Sequence, residues 1–468
     1  MSEIIIKHLP LNIIKKAYLF FLVALFASGC KTPTTVVTYP APPGLIASPD
    51  FTVKVNNKPV WVERIGSKLK SFEYKLYSGR EMEDLNVAGF SCSCPLTITI
   101  TASADIKSFL IRPKSRGIKA ILKGRDLTFT IPGPQKLYIE INELPHLAIF
   151  ASPLEVNPPK EGDPGVVYFG PGNHNPGKII LQSNQTIYIA GGAIVNADVT
   201  GKDLRNVKIT GRGSLQGTVK INGTTNLNVS GIFIRNTKGW TNTLTDCHNS
   251  SYRDVKVFGY EDIYSVDGIN PVSCTNFTID DCFMRCRDDC VAIKSMNYDL
   301  RVDSIFVTNN VMVGWACSDG VTIGFELNGG PVENILVKNC DILYARSGGR
   351  TGGHSGFSIV CDGPAWVQNI RYEDIRVEEQ VEFKNLELIV SDGTLYGDDL
   401  PGHIKGIYLK NISWENTTKP FILSGFSSGN LIEDITFDHC NVGGKILTGT
   451  NDAVFQINTF VQGIKFIP

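Results

Sequence analysis

The chain has 468 residues, a formal net charge of -1, 42% hydrophobic residues, 45 glycines and 24 prolines. A charge balance this close to neutral gives no global field that would favour nucleic acid or an anionic membrane surface. The length supports a large buried core and two or three domains. The composition therefore indicates a turn-rich globular protein, and its function must be sought in local motifs.

The first thirty residues form a targeting segment, in our interpretation. Lys7, Lys15 and Lys16 precede an apolar run over residues 17–26 that is short for a membrane span. The run ends in Ala27-Ser28-Gly29-Cys30, which resembles a bacterial lipobox with Cys30 as the lipidated residue. We expect a lipid-anchored protein of the bacterial cell envelope, at the outer membrane or cell surface, with secretion after an ordinary signal peptide as the alternative.

Residues 31–47, rich in Thr and Pro at their start, are predicted to be a linker. From residue 48 to residue 160, apolar and polar residues alternate within short segments that turn signals separate. The clearest segments are Phe51–Val55, Leu96–Ile100, Leu127–Ile131 and Leu137–Ile141. This pattern predicts a small antiparallel β-sandwich, which prolines between residues 152 and 165 separate from the rest of the chain.

Residues 161–468 contain a repeated phrase: Asn or Asp, then an apolar residue, any residue and an apolar residue. It begins at Asn206, Asn226, Asp254, Asn276, Asn334, Asn369 and Asp434. The shorter intervals, about 20 to 35 residues, are typical of repeat architectures, and no helical periodicity fills them. We therefore predict an all-β fold in which a right-handed parallel β-helix follows the sandwich. Asn at these turns favours left-handed backbone and side-chain ladders.

The cysteines are expected to be structural. Cys282, Cys340 and Cys440 each end a similar phrase, which predicts a buried column of thiols. Cys286 and Cys290 have no histidine near them in sequence, so we expect no zinc site, no other metal and no cofactor.

Three carboxylates in two short segments indicate acid/base chemistry. Asp267 precedes Gly268, and Asp288 and Asp289 begin a strand-like segment that ends at Lys294. The two segments are about one coil apart, so stacking at about 4.8 Å would bring Asp267 near the pair. Mutual repulsion raises the pKa of at least one such carboxyl, which can remain an acid while ionised neighbours hold a water. This arrangement predicts hydrolysis of a glycosidic bond.

The same segments resemble the signature of the polygalacturonases, parallel β-helix glycoside hydrolases of family 28, and of the dextranases and isopullulanases of family 49. The sequence from Asp288 to Ser295 is more similar to that of family 28. The leading sandwich and the phrase over residues 168–172 are more similar to the dextranases. The resemblance implies that Asp288 is the general acid, that Asp267 and Asp289 activate the water, and that the anomeric centre is inverted.

Departures from the polygalacturonase pattern concern the substrate. Ser265-Val266-Asp267 replaces Asn-Thr-Asp, and Ser318-Asp319-Gly320 replaces Gly-His-Gly. Ser358-Ile359-Val360 replaces the Arg-Ile-Lys that holds a uronate carboxylate. Without the bidentate arginine and its lysine partner, we favour a neutral, dextran-like polysaccharide.

Six residues near the motif are candidates for substrate binding. Arg346, Arg350 and His354 lie on a glycine-rich segment and offer a different route to an anionic polysaccharide. Trp315 is a candidate for stacking on a sugar ring, and Glu326 for joining the acid cluster. The remaining substrate-binding candidates are Lys294 and Asp319. Other aromatic residues in these coils are Trp240, Tyr260, Tyr264, Phe325 and Trp366.

Two rival functions remain. A β-helix pectate lyase would use calcium and a basic residue, for which Arg287 is available. An inactive glycan-binding surface lipoprotein would keep the fold without turnover. Because all three aspartates are present, we favour the hydrolase, acting as a monomer on a polysaccharide, without a nucleic-acid partner.

Overall fold

A computed structural model of the chain describes residues 35–66, 83–235, 237, 239–259, 266–315, 318–346, 354–398 and 400–468. The predicted targeting segment with Cys30 lies outside these residues. Within them, no helix has the length and apolar character needed to cross a membrane. Their regular structure is β-strand, apart from two short 3-10 turns at Lys114–Arg116 and Thr450–Asp452.

Eleven strands build the N-terminal part as two facing sheets. The strands are β1 (Val36–Thr38), β2 (Phe51–Val55), β3 (Lys58–Val60), β4 (Val62–Ile65), β5 (Leu85–Cys92), β6 (Leu96–Ala102), β7 (Phe109–Arg112), β8 (Ala120–Lys123), β9 (Asp126–Ile131), β10 (Gln135–Ile141) and β11 (Leu147–Pro153). One sheet has the order β1-β5-β11-β10-β7 with β4 also on β5, and the other has the order β3-β2-β6-β9-β8. All pairs are antiparallel except β5 with β11. The four strands predicted here are confirmed, because each alternation buries one face against the opposite sheet.

The linker prediction is wrong for part of its range. Residues Val36–Thr38 form strand β1, which pairs antiparallel with β5 through Val36 and Cys92. Val36 is buried, so this β-branched segment extends the sandwich instead of spacing it from the N-terminus.

Thirty-three further strands form a parallel β-helix, as predicted. They are β12 (Val166–Phe169), β13 (Gly172–Ile180), β14 (Thr186–Ile189), β15 (Ala193–Lys202), β16 (Arg205–Gly211), β17 (Ser214–Gln216), β18 (Val219–Asn222), β19 (Thr225–Ser230), β20 (Phe233–Arg235), β21 (Asn242–Thr245), β22 (His248–Arg253), β23 (Lys256–Phe258), β24 (Ile269–Val272), β25 (Thr275–Asp280), β26 (Phe283–Cys286), β27 (Val291–Ser295), β28 (Val302–Thr308), β29 (Val311–Gly314), β30 (Val321–Leu327), β31 (Val332–Lys338), β32 (Asp341–Ala345), β33 (Ser355–Asp362), β34 (Trp366–Glu373), β35 (Arg376–Val381), β36 (Lys384–Ser391), β37 (His403–Lys410), β38 (Ser413–Trp414), β39 (Phe421–Ser424), β40 (Ile432–Asp438), β41 (Asn441–Val442), β42 (Lys445–Ile446), β43 (Phe455–Ile457) and β44 (Val461–Ile467). Twelve of them, from β12 to β44, stack in one parallel sheet, and the other 21 form a second sheet. Apolar side chains from both sheets point inward and form one continuous core.

The repeated Asn phrase marks a turn in which the backbone is left-handed. Asn206 and Asn226 have φ of 57° and 63°, and Asn226 Nδ2 donates to Asn206 Oδ1 at 2.9 Å. The ladder continues farther along, where Asn369 Nδ2 donates to Asn334 Oδ1 at 2.5 Å. One member was misplaced in the prediction. Asp254 lies at the turn that follows. The residue equivalent to Asn276 is Asn249, since the residues before them, His248 and Thr275, pair in the sheet.

The three cysteines are buried at equivalent coil positions, as predicted, but they do not form a continuous column of thiols, because Asn310, Ile375 and Ile412 occupy this position in the coils between them. Cys282, Cys340 and Cys440 are at most 1% exposed and carry free thiols. Their Sγ atoms contact backbone carbonyls inside the coils, which satisfies the weak S–H donor without a metal or a disulfide.

The sandwich packs directly on the β-helix. A buried apolar cluster joins Tyr138 and Phe150 of the sandwich to Phe283, Trp315 and Tyr344 of the β-helix. These side chains are at most 2% exposed, so the contact excludes water and fixes the sandwich against the coils that carry the aspartates.

Candidate active site

Three aspartates lie at the same position in three successive coils. Asp267, Asp289 and Asp319 each precede a strand by two residues, and those strands, β24, β27 and β30, are consecutive neighbours. The backbone N–H of Gly268 donates to the Asp289 carbonyl at 2.8 Å, and that of Cys290 donates to the Asp319 carbonyl at 3.0 Å. The parallel register therefore stacks the three residues, and it brings Asp267 and Asp289 together as the sequence predicted.

Asp288 and Asp289 are adjacent, but they differ in environment. The Asp289 side chain is buried, and its Oδ1 accepts the backbone N–H of Asp319 at 2.8 Å. Asp288 is partly exposed, and its Oδ1 accepts the backbone N–H of Asp289 at 3.0 Å. Of the two carboxyls, Asp288 is thus the one that a solvent-borne substrate can reach.

The pKa values of all three predicted catalytic carboxyls are raised. Burial is the main cause for Asp267, and the charge of Asp288 adds to it, so the pKa of Asp267 lies well above its ordinary value. Burial and then the charges of Asp319, Asp288 and Asp267 raise the pKa of Asp289 well above the ordinary value. Burial also raises the pKa of Asp288, against the opposing charges of His354 and Lys294. The cluster therefore holds protons at a pH where exposed carboxyls are ionised.

Asp319 is a buried hydrogen-bond acceptor, and its contact with substrate stays a prediction. Its Oδ1 accepts the backbone N–H of Ser355 at 2.7 Å, and Nδ1 of His354 lies 3.2 Å away. Its Oδ2 accepts the hydroxyl of Thr322 at 2.6 Å and that of Ser358. Burial opposes ionisation, but these donors outweigh it and lower the pKa of Asp319. With both oxygens occupied and 2% exposure, Asp319 organises its neighbours.

His354 lies among the aspartates, although it is 35 residues from Asp319 in the chain. Its Nδ1 is 3.2 Å from Asp319 Oδ1 and 3.9 Å from Asp289 Oδ1. The donor atoms of these three residues lie within 4.8 Å of one another, a spacing that a metal ion could bridge. Because the oxygens of Asp319 already accept hydrogen bonds from protein donors, the arrangement fits a hydrogen-bonded cluster better than a metal site.

Lys294 forms an ion pair inside the site. Its Nζ contacts a carboxylate oxygen of Glu326 and lies 4.7 Å from the ring centroid of Trp240. Burial disfavours the charge, yet the carboxylates of Asp267 and Glu326 outweigh burial and raise the pKa of Lys294. Lys294 is therefore a permanent cation beside Asp267, and Glu326 neutralises it.

Trp315 and Arg346 are not arranged as predicted. Trp315 is 1% exposed at the interface with the sandwich, so its prediction as a sugar-stacking residue is wrong. The Arg346 guanidinium lies over that ring at 4.1 Å and over Tyr344 at 4.7 Å, and it faces Glu382 at 3.9 Å. These contacts direct Arg346 to the interface and away from substrate, contrary to its prediction as a substrate contact. Arg350 lies outside the described residues.

The residues that stand in place of the uronate-holding motif are not accessible to solvent. Ser358 and Val360 are fully buried, and the Ser358 hydroxyl completes the ring of donors around Asp319. No local sequence pattern indicated that Ser358 would be a partner of Asp319, because it comes from the next coil. Thr322 could have been identified from its position three residues after Asp319. Asn270 has the same spacing from Asp267 and donates to Asp267 Oδ2 at 2.5 Å.

A family model described as glycosyl hydrolases family 28 matches residues 172–445, more than half of the chain. The chain belongs to glycosyl hydrolase family 28. Among curated family 28 relatives, an exopolygalacturonase of Arabidopsis thaliana is 24% identical over 245 residues, which cover 52% of this chain and 53% of the relative. The chain spans between 28% and 53% of the length of the curated relatives it matches.

Solved structures share the fold. Dex49A from Penicillium minioluteum superposes with a TM-score of 0.62 and 14% identity over 94% of this chain and 97% of that one. An exopolygalacturonase from Thermotoga maritima gives a TM-score of 0.54 and 17% identity, covering 65% of this chain and 84% of that one. The first match includes the sandwich as well as the β-helix, so the family 28 chain has the two-part layout of Dex49A.

Proposed function

We propose that this protein is an inverting glycoside hydrolase that cleaves a neutral polysaccharide. The observation that carries the proposal is the stack of Asp267 and Asp289, with Asp288 beside them, within the residues that the family 28 model matches. Asp288, the partly exposed carboxyl with a raised pKa, protonates the leaving oxygen. Asp267 and Asp289, deeper in the cluster, take up the proton of the attacking water.

The division of work rests on exposure, because Asp288 is partly exposed whereas Asp267 and Asp289 are buried. Burial and, after it, the neighbouring carboxylate charges raise the pKa values of Asp267 and Asp289 well above the ordinary value, so the three carboxyls do not all ionise together. Burial raises the pKa of Asp288 as well, although the charges of His354 and Lys294 oppose that rise. Hydrolysis then needs only substrate and water.

A neutral substrate is favoured by the absence of an available cation among the described residues that replace the uronate clamp. Ser358 and Val360 are buried and uncharged. Lys294 is paired with Glu326, and His354 faces Asp319. A polyuronate would have to compete with these protein carboxylates for the same cations. The alternative, an anionic polysaccharide held by Arg346 and Arg350, loses support because Arg346 packs on Trp315.

Reducing-end release from dextran, pullulan and polygalacturonate tests the proposal. We expect the wild type to release ends from a neutral polymer and Asp288→Asn to be at least about 100-fold slower. Asp203→Asn, at an exposed turn whose positive φ Asn tolerates, is the matched control and should keep full activity. Release from polygalacturonate alone would contradict the neutral substrate, while an active Asp288→Asn protein would contradict the catalytic assignment.

Anchoring of the protein at the cell envelope through Cys30 is a separate proposal. It rests on the lipobox-like segment at residues 27–30. Mass spectrometry of the protein from membranes of an expressing bacterium tests it, with a Cys30→Ser control. A lipid-modified Cys30 is expected, and an unmodified soluble product would contradict the anchor.

A further inference from the structure

Two aromatic side chains, Phe325 and Tyr396, lie next to the Lys294–Glu326 pair. Phe325 precedes Glu326 on β30, and its ring meets Tyr396 edge to face, with centroids 5.6 Å apart and planes at 87°. Tyr396 is 47% exposed. Glu326, which pairs with Lys294, lies opposite Asp362 in the sheet register, and Asp362 accepts the backbone N–H of Tyr396. The aromatic pair therefore lies beside the Lys294–Glu326 pair, and Lys294 acts electrostatically on Asp267.

The segment that carries Tyr396 is held in place. Asp362 is fully buried, and its Oδ2 accepts the backbone N–H of Tyr396 at 2.5 Å and that of Gly397 at 2.8 Å. The backbone N–H of Asp398 donates to Asn328 Oδ1 at 3.0 Å. A Cβ at Gly397 would lie 1.7 Å from the Asp362 carbonyl oxygen, so the chain passes where only glycine fits. The ring of Tyr396 is thus presented on a fixed support.

The charges beside these rings cancel. Lys294 contacts Glu326, and the centroid of the Trp240 ring lies 4.7 Å from the Lys294 ammonium. Trp240 and Phe325 are both partly exposed. Aromatic faces next to a neutralised ion pair suit the apolar face of an uncharged sugar ring, whereas a sugar carboxylate would have to compete with Glu326 for Lys294.

We infer that Tyr396 and Phe325, with Trp240 beside Lys294, form a subsite that stacks an uncharged hexose unit of the polysaccharide. The inference deepens the proposed function and rests on it for the identity of the cleaved polymer. Its own claim concerns binding: the subsite holds the polymer next to Asp267, whether or not the bond is cut.

Affinity electrophoresis in gels containing dextran or pullulan tests this subsite without turnover. The parent protein is Asp288→Asn, into which Tyr396→Ala and Tyr396→Phe are introduced separately. We expect the polymer to retard the parent and Tyr396→Phe, and Tyr396→Ala to weaken binding about tenfold. Trp366→Ala is the matched control, because Trp366 is also 47% exposed but lies on the other sheet, stacked on His403.

The outcomes separate the two proposals. Retardation that depends on Tyr396 but not on Trp366 supports the subsite, even if the wild type proves inactive and the hydrolase proposal fails. Unchanged retardation of Tyr396→Ala overturns the subsite while hydrolysis by the wild type can stand. Retardation by neither neutral polymer, or by polygalacturonate alone, also overturns it.

Discussion

Asp319 and His354 form a pair whose effect extends to the acid and the base of the proposed reaction. Asp319 stays charged although it is buried, because a backbone N–H, two hydroxyls and an imidazole surround it. Its charge in turn raises the pKa of Asp289, whereas His354 lowers the pKa of both Asp288 and Asp289. The pair therefore adjusts the protonation of the catalytic carboxyls without touching the substrate's reacting bond.

A His354→Ala substitution is expected to move the pH profile of kcat/KM toward alkaline pH. A protonated His354 stabilises ionised Asp288 and Asp289, so its removal lets both pKa values rise further. The acidic limb of the profile follows ionisation of the base, and the alkaline limb follows loss of the proton from the acid. Both limbs are therefore expected to shift to higher pH. His248→Ala, on the opposite sheet, is the control. An unchanged profile, or a shift to acidic pH, would contradict this electrostatic role.

At the level of elements, the Asn turns explain how coils of unequal length keep one register. Asn226 has a φ of 63° and donates its amide to Asn206 in the coil before it. Asparagine tolerates the left-handed conformation and also satisfies a neighbour, whereas glycine offers only the first property.

Substitutions at Asn226 should separate these two contributions. Asn226→Ala loses the hydrogen bond and places a side chain that disfavours positive φ, at a cost of about 2 kcal/mol. Asn226→Gly keeps the backbone conformation and loses the hydrogen bond, at a cost of about 1 kcal/mol. The free energy of unfolding in urea measures both values. If the alanine variant were as stable as the glycine variant, the left-handed backbone would not be what selects the residue.

The sandwich strands and the Asn turns could be predicted from the sequence, because each depends on residues close together in the chain. The alternation in Phe51–Val55 follows from one buried face, and the Asn phrases follow from a backbone conformation within one turn. The partners of Asp319 could not be predicted in this way, since His354 and Ser358 come from the next coil. Trp315 was misjudged for the same reason. Its burial depends on a sandwich residue, His146, whose ring lies 5.8 Å away.

For the molecule as a whole, a buried ion cluster joins the sandwich to the β-helix. Arg112 is 1% exposed and contacts Glu140 of its own sandwich and both Glu378 and Glu379 of the β-helix. Glu378 is itself 3% exposed, and burial raises its pKa. The sandwich therefore serves as a support for the coils, in addition to any role that its outer face has.

Removal of Arg112 should be much more costly than removal of its neighbour Lys114. Arg112→Met leaves the Glu378 charge buried without its partner, which is expected to destabilise the protein by about 3–5 kcal/mol. Lys114 also pairs with two glutamates, but at 35% exposure, so Lys114→Met should cost less than about 1 kcal/mol. Urea unfolding of both variants gives the comparison. Equal losses of stability would contradict the buried cluster as the main polar link.

The central claim is that Asp288 protonates the leaving oxygen while Asp267 and Asp289 direct water to the opposite face of the sugar. Proton NMR of the first product, on whichever polymer the wild type cleaves, tests it most directly, with Asp288→Asn in parallel. The account predicts a product whose anomeric configuration is opposite to that of the cleaved bond, formed by the wild type and not by the folded variant. A first product with the original configuration, or one formed equally fast by Asp288→Asn, would contradict it.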